Sequence, residues 1–169
     1  MMRKTLVALV VVLLCSCGVE AAEKIVIHGL YLGMSYDGAL NAFHALEKTH
    51  QDYKVGTIPV DENDNALIVI HGKTKNDISS FVVVGYFNKD ELVNLLFFPE
   101  YFGIGIKEEF EYPRDMITIA DTCKLLFKIP LELRNGRFVH ITENGDSAQV
   151  SEDGLFGLAS KKEVERWSK

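Results

Sequence analysis

Three spacings of apolar residues divide this chain, and each predicts a different kind of element. The first is an unbroken run, Leu6 to Leu14 (LVALVVVLL). The second is the three-and-four spacing of a helix face. Tyr36, Ala39, Leu40, Phe43 and Leu46 follow it, and Ser35 is a good N-cap for a helix running to about Lys48. Gly38 weakens that helix by roughly 1 kcal/mol against Ala, which points to a close contact there. Ile119, Thr122, Cys123, Leu126 and Ile129 predict a second helix over Asp115 to Ile129, ended by Pro130. Thr118 and Asp121 have the form of a capping box at its start.

The third spacing is that of short β-rich runs between polar turns. Glu23 to Leu32 (EKIVIHGLYL) opens on β-branched residues and predicts a strand or extended lead-in. Lys54 to Val60, Ala66 to His71, Ser79 to Phe87 and Glu91 to Phe98 follow as strands, the first broken by Pro59 and the last stopped by Pro99. Asp61 to Asn65, Gly72 to Asp77 and Asn88 to Asp90 turn between them. After the second helix, Leu131 to Ile141 turns at Asn135-Gly136, Asn144-Gly145 signals a hairpin, and Leu155 to Ala159 is a last strand. Ser160 and Glu163 form another capping box, opening a short helix with Val164 and Trp167 on one side. No repeat of fixed period is present. The predicted fold is α+β, one domain over residues 22–169. An antiparallel meander sheet is covered by the N-terminal helix and by a helix near 118–129.

The first apolar run follows Arg3 and Lys4, the order of a secretory signal. At 1.5 Å per residue it is too short to cross a hydrocarbon core of ~30 Å. Residues 1–21 therefore read as a signal peptide with two cleavage readings. Val19-Glu20-Ala21 suits soluble release before Ala22. Leu14-Cys15-Ser16-Cys17 resembles a bacterial lipobox, which implies cleavage before Cys17 and its lipidation. The second is favoured, and Gly18 rather than Asp after the Cys implies sorting to the outer membrane.

Composition narrows the function classes. The chain has 169 residues, is 47% hydrophobic and carries a net charge of -6. Cleavage before Cys17 removes Arg3 and Lys4 and no acid, leaving 24 acidic against 16 basic residues, a net charge of -8. That balance argues against nucleic acid as a partner. Two of the three Cys lie in the leader region, so Cys123 is left without a disulfide partner when Cys17 is acylated. It reads as a small buried hydrophobe.

No spacing along the chain supplies catalysis. Asp61, Asn63 and Asn65 start like a calcium loop, but Ala66 and Gly72 stand where Gly and a bidentate Glu are needed. They read as a solvated turn. His28, His44, His50, His71 and His140 form no metal-binding spacing, although the strand residues His28, His71 and His140 are able to converge only if the fold brings them together. Neither a metal nor a cofactor is expected. Glu108, Glu109, Glu111 and Asp115 lie beside Tyr101, Phe102, Phe110 and Tyr112. Carboxylates with aromatics suit sugar chemistry, an edge strand guarded by its charges, or a protein-binding surface. The four aromatics are the candidate binding surface.

Gly29 to Ser35 (GLYLGMS), followed by the helix with Ala39 and Leu40, resembles the opening of small bacterial envelope proteins of the BamE/SmpA-like and β-lactamase-inhibitor-like group. Asp115 to Pro130, closing on Phe127-Lys128-Ile129-Pro130, resembles the helix ending of uncharacterised proteins with that opening. The resemblance implies a layered α+β fold and a protein-binding role, and it carries over no binding residue. The expected function is therefore that of a non-enzymatic, lipid-anchored envelope protein, in the periplasm or outer membrane, that binds another envelope protein or supports an assembly. The alternative is a small-ligand or metal-binding periplasmic module, and a hydrolase is the third.

Overall fold

The computed structural model describes residues 24–59, 61–73, 79–102 and 113–167. The leader with Cys17, and Phe110 and Tyr112, lie outside them.

Helix α1 (Tyr36–Glu47) forms where the apolar stripe and Ser35 place it. The Ser35 side chain accepts from Gly38 N–H at 3.3 Å, and Ala39, Phe43 and Leu46 are buried. A Cβ on Gly38 would stand 3.2 Å from Ser35 Oγ, the close contact expected of that glycine. Four strands follow: β1 (Lys54–Ile58), β2 (Asn65–Lys73), β3 (Ser79–Asn88) and β4 (Glu91–Phe97). A 3₁₀ turn (Pro99–Phe102) closes this half. Helix α2 (Arg114–Phe127) precedes β5 (Glu132–Arg134), β6 (Arg137–Ile141), β7 (Ser147–Val150) and β8 (Phe156–Ala159). Helix α3 (Lys161–Trp167) ends the described chain, with Ser160 Oγ accepting from Glu163 N–H at 3.4 Å as the capping spacing predicts.

The chain thus lays down one unit twice, a helix followed by a four-stranded meander. The last strands of the units, β4 and β8, pair antiparallel. One eight-stranded antiparallel sheet results, in the order β1-β2-β3-β4-β8-β7-β6-β5. The α+β class and the meander are as predicted, while the doubling has no counterpart in sequence. Strands of nine and ten residues in the first unit answer strands of five and four in the second, so no fixed period survives.

Strand residues alternate between two faces. One face carries Ile68, Ile70, Val83, Phe87, Leu95, Phe97, Phe156, Leu158, Ala148 and Val150, all within the core. Phe43 of α1 sits directly over Gly85, where an added Cβ would lie 3.0 Å from its ring. Phe127 of α2 stacks on Phe156 at 6.1 Å. Both helices therefore cover this same face.

Two expectations need correction. Residues 24–32 are not a sheet strand: Ile27 and Leu30 exchange backbone hydrogen bonds of 2.9 Å across a turn at His28-Gly29. Doubling back buries both apolar side chains completely, which a straight run with alternating directions would not do. In α2, Thr118 is not a cap. Its hydroxyl donates to Arg114 O at 3.0 Å inside the helix, and Pro113 at the N-cap position gives no side-chain bond. The buried stripe is Met116, Ile119, Ala120 and Cys123, rotated from the predicted one, and Leu126 is 63% exposed. Those four follow the i, i+3, i+4, i+7 spacing without a polar interruption, whereas the predicted face includes Thr122. Lys128 adopts φ 59 and ends the helix before Ile129.

The turns repeat as well. The β1–β2, β6–β7 and β7–β8 loops (Asp61–Asn65, Thr142–Asp146, Ser151–Leu155) share one hydrogen-bond plan. The N–H of the first residue donates to the carbonyl of the fifth at 2.9 Å in each. The fourth residue has positive φ: Asp64 at 60°, Gly145 at 90° and Gly154 at 78°. The two-residue turns show the same contrast. Asn135-Gly136 joins β5 to β6 as predicted, but Lys89-Asp90 joins β3 to β4 with φ of 50° and 66° and no glycine.

Candidate binding sites

Of the aromatics singled out in sequence, Tyr101 and Phe102 are described. The 3₁₀ turn delivers both, half-buried, against the core. Tyr101 meets Phe97 edge-on at 4.9 Å and Phe102 at 5.1 Å, and Phe102 meets Phe156 at 6.3 Å. The Tyr101 hydroxyl and His28 Nε2 share a hydrogen bond, and the His28 ring lies edge-on to Phe127 at 5.8 Å. Burial pushes the Tyr101 hydroxyl up to about 12 and lowers the His28 imidazole. Such a pair stays neutral at pH 7 and fastens the 27–30 hairpin to the core. Cys123 is fully buried, and burial pushes its thiol up to about 12. A thiol that protonated is not a nucleophile.

The strand histidines do not meet. His71 and His140 stand on β2 and β6, five strands apart in the sheet, or roughly 24 Å at the usual inter-strand spacing. Asp61 Oδ1 accepts from Asn63 N–H at 2.8 Å and from Asn65 N–H at 3.0 Å, and the Asn65 side chain donates to both carboxylate oxygens. The side-chain hydrogen bond from Asn65 is the main reason its carboxyl titrates below the usual range. These bonds use the carboxylate to close the turn. Among the described residues, no group of three or more His, Cys, Asp or Glu is placed to hold a metal ion.

Two other regions have the form of binding sites. The first is the sheet face turned away from α1 and α2. Strand register sets Gly56, Val69, Val84, Leu96, Gly157, Gln149 and Val139 side by side across it. A second row reads Ile58, Leu67, Tyr86, Asn94, Ala159, Ser147 and Ile141. An antiparallel sheet with one solvated face ordinarily shows polar residues there. Here most positions are apolar, and Ile58 and Ile141 are 51% and 55% exposed. A bulge at Ile70/His71 turns Phe81 to this face too, where its ring meets His71 at 4.9 Å and it is 45% exposed. Gly157, Ala159 and Ser147 are small and buried between the larger side chains. Asn94 Oδ1, in the same row, is buried without a hydrogen-bond partner among the described residues. Charged residues, Lys54 on β1 and Glu132, Arg134 and Arg137 on β5 and β6, mark the two ends of the sheet. The signal in sequence was the pair of continuous apolar runs, Ala66 to Ile70 and Phe81 to Val84, which alternation would have broken.

The second is a cleft of about 530 Å³ where α1 begins and the first meander turns. Ala66 and Phe87 form its floor and Tyr36 and Pro59 its walls, while Asp64, Lys89 and Asp90 line it from the turns. The Tyr36 ring meets Phe87 edge-on at 5.1 Å. Tyr36 N–H donates to Asp90 Oδ1 at 3.1 Å, which pins the helix start to the β3–β4 turn. Lys89 N–H donates to Asp64 O at 3.0 Å, which ties the two turns together. All three turn residues have positive φ without being glycine. Its sequence signal was charged residues at positions where the matching turns elsewhere carry glycine.

Compared with known proteins, the chain matches no family model, no curated protein and no solved structure.

Proposed function

We propose that this chain is an exported, lipid-anchored envelope protein that binds another protein, without catalysis, through the sheet face turned away from α1 and α2. The observation that supports this reading best is the apolar character of that face. An exposed apolar surface on an acidic exported domain costs solubility unless a partner covers it. The geometry favours this face over the Tyr101 and Phe102 rings, which are committed to the core. Export and anchoring rest on the basic-then-apolar leader and on Cys17.

Two substitutions at exposed positions test the docking. Ile141→Asp and Phe81→Asp should leave the circular dichroism spectrum and the denaturation midpoint close to wild type. Each should abolish co-purification of the partner from envelope membranes. Undiminished recovery with both variants would overturn the reading. Mass spectrometry of the mature N-terminus tests the anchor separately: an acylated Cys17 supports it, and an unmodified Ala22 at the N-terminus removes it.

A further inference from the structure

The cleft under the start of α1 lies on the helix-covered side of the sheet, apart from the proposed docking face. Its floor is apolar and aromatic, and its volume of about 530 Å³ falls within the range of small-molecule sites. An anion finds little to hold it there. Two of the first three N–H groups of α1 are already engaged, Tyr36 N–H by Asp90 and Gly38 N–H by Ser35 Oγ. What stays open is the Asp64 carboxylate, which accepts no hydrogen bond among the described residues, together with the second oxygen of Asp90. Lys89 is the only basic residue lining the cleft among the described ones, so its charges sum to one negative. An aromatic wall facing carboxylates suits a positive charge on an apolar body.

We propose that this cleft binds a small amphiphilic cation, an ammonium group carried on an aromatic or aliphatic body. The body rests on Ala66 and Phe87 beside the Tyr36 ring, and the ammonium faces Asp64 and Asp90. The inference is independent of docking on the open face, because none of these side chains lies in its two rows.

Nuclear magnetic resonance titration of the intact protein with 2-phenylethylamine, 2-phenylethanol and 3-phenylpropanoate tests it. These share one apolar body and differ in charge. The amine should give saturable shifts at the Tyr36, Ala66 and Phe87 amides and bind the tightest of the three. Asp64→Asn keeps a residue that tolerates positive φ and should weaken the amine by about three- to fivefold, the scale of one exposed charge pair. Lys89→Asn should tighten it by a similar factor, while neither change should move the alcohol. Equal affinity for amine and alcohol, tighter binding of the carboxylate, unchanged amine affinity in Asp64→Asn, or no saturable shift would each overturn the proposal.

Discussion

The two helix-and-meander units solve the same construction problem in different ways. The second is built economically. Its strands are short, and glycine occupies every left-handed position of its hairpin turns except Asn135, a residue that tolerates such φ. The first has long strands with a fully buried Phe43 seated on Gly85, and it puts Asp64, Lys89 and Asp90 where glycine would be cheaper. Left-handed backbone costs a non-glycine residue roughly 1 kcal/mol, less for Asp. The two plans side by side show that the turn geometry alone does not require these charged residues. Their side chains are what differ, and they converge on one cleft. Strained positions that gather in this way point toward function rather than toward folding.

The largest expected effect contrasts the buried helix faces with the exposed one. Phe43→Ala should cost about 3–5 kcal/mol in urea denaturation. Leu126→Ala, on the outer face of α2, should stay within about 0.5 kcal/mol. A large loss at Leu126 would mean that the outer face of α2 is covered.

Next in size is a pair of glycines. An added Cβ at Gly85 would stand 3.0 Å from the Phe43 ring and 3.2 Å from Leu92, both in the core. Gly85→Ala should therefore cost about 1–3 kcal/mol. At Gly157 the Cβ would meet the end of the Leu96 side chain at 3.0 Å, on the open face, with Leu95 O at 3.9 Å in ordinary contact. That side chain can swing aside, and the cost should stay below about 1 kcal/mol. Equal losses would mean that the open face is packed as tightly as the core.

The turns give a smaller effect of opposite signs. Gly154→Ala in the second unit should destabilise by about 1 kcal/mol, and Asp64→Gly in the first should stabilise by a few tenths up to about 1 kcal/mol. A loss of stability in Asp64→Gly would show that the carboxylate supports the fold, and the contrast between units would fail.

The smallest effect at neutral pH grows with alkali. Tyr101 and Cys123 are both held up to about 12, above their ordinary values near 10 and 9. A raised pKa means that the folded state keeps the proton longer. The stability each neutral group contributes is complete below its ordinary value and is lost as pH rises toward about 12. Stability should begin to fall near pH 9 and decline through pH 12. Cys123→Ala should remove the earliest part of that decline, and Tyr101→Phe the part that begins near pH 10. A decline that neither change alters would place its origin in other groups.

How much of this was legible in sequence follows from how local each signal is. Ser35 and the stripe to Leu46 define α1 without help, because a cap and a face need only neighbouring residues. Asn135-Gly136 defines its hairpin for the same reason. The stripe of α2 was misplaced by one step, since Leu126 and Met116 are equally apolar and only packing decides which is buried. The run Ile25 to Leu32 looked like a strand, but the burial gained by folding Ile27 and Leu30 back is a tertiary property. The pairing of β4 with β8 joins residues some sixty apart in sequence, so the doubled architecture shows in no local window, and of the open face only the unbroken runs Ala66 to Ile70 and Phe81 to Val84 show there. The cleft is assembled from a helix start and two turns, each ordinary alone, and becomes visible only once Asp64, Lys89 and Asp90 stand together.

The central claim is that a partner protein covers the open face. Photo-crosslinking in living cells addresses it most directly, with a photoreactive residue placed at Ile141 on that face or at Leu125 on the outer side of α2. One adduct of fixed mass is expected from Ile141, lost when Phe81→Asp is added, and none from Leu125. An adduct from Leu125 with none from Ile141 would contradict it.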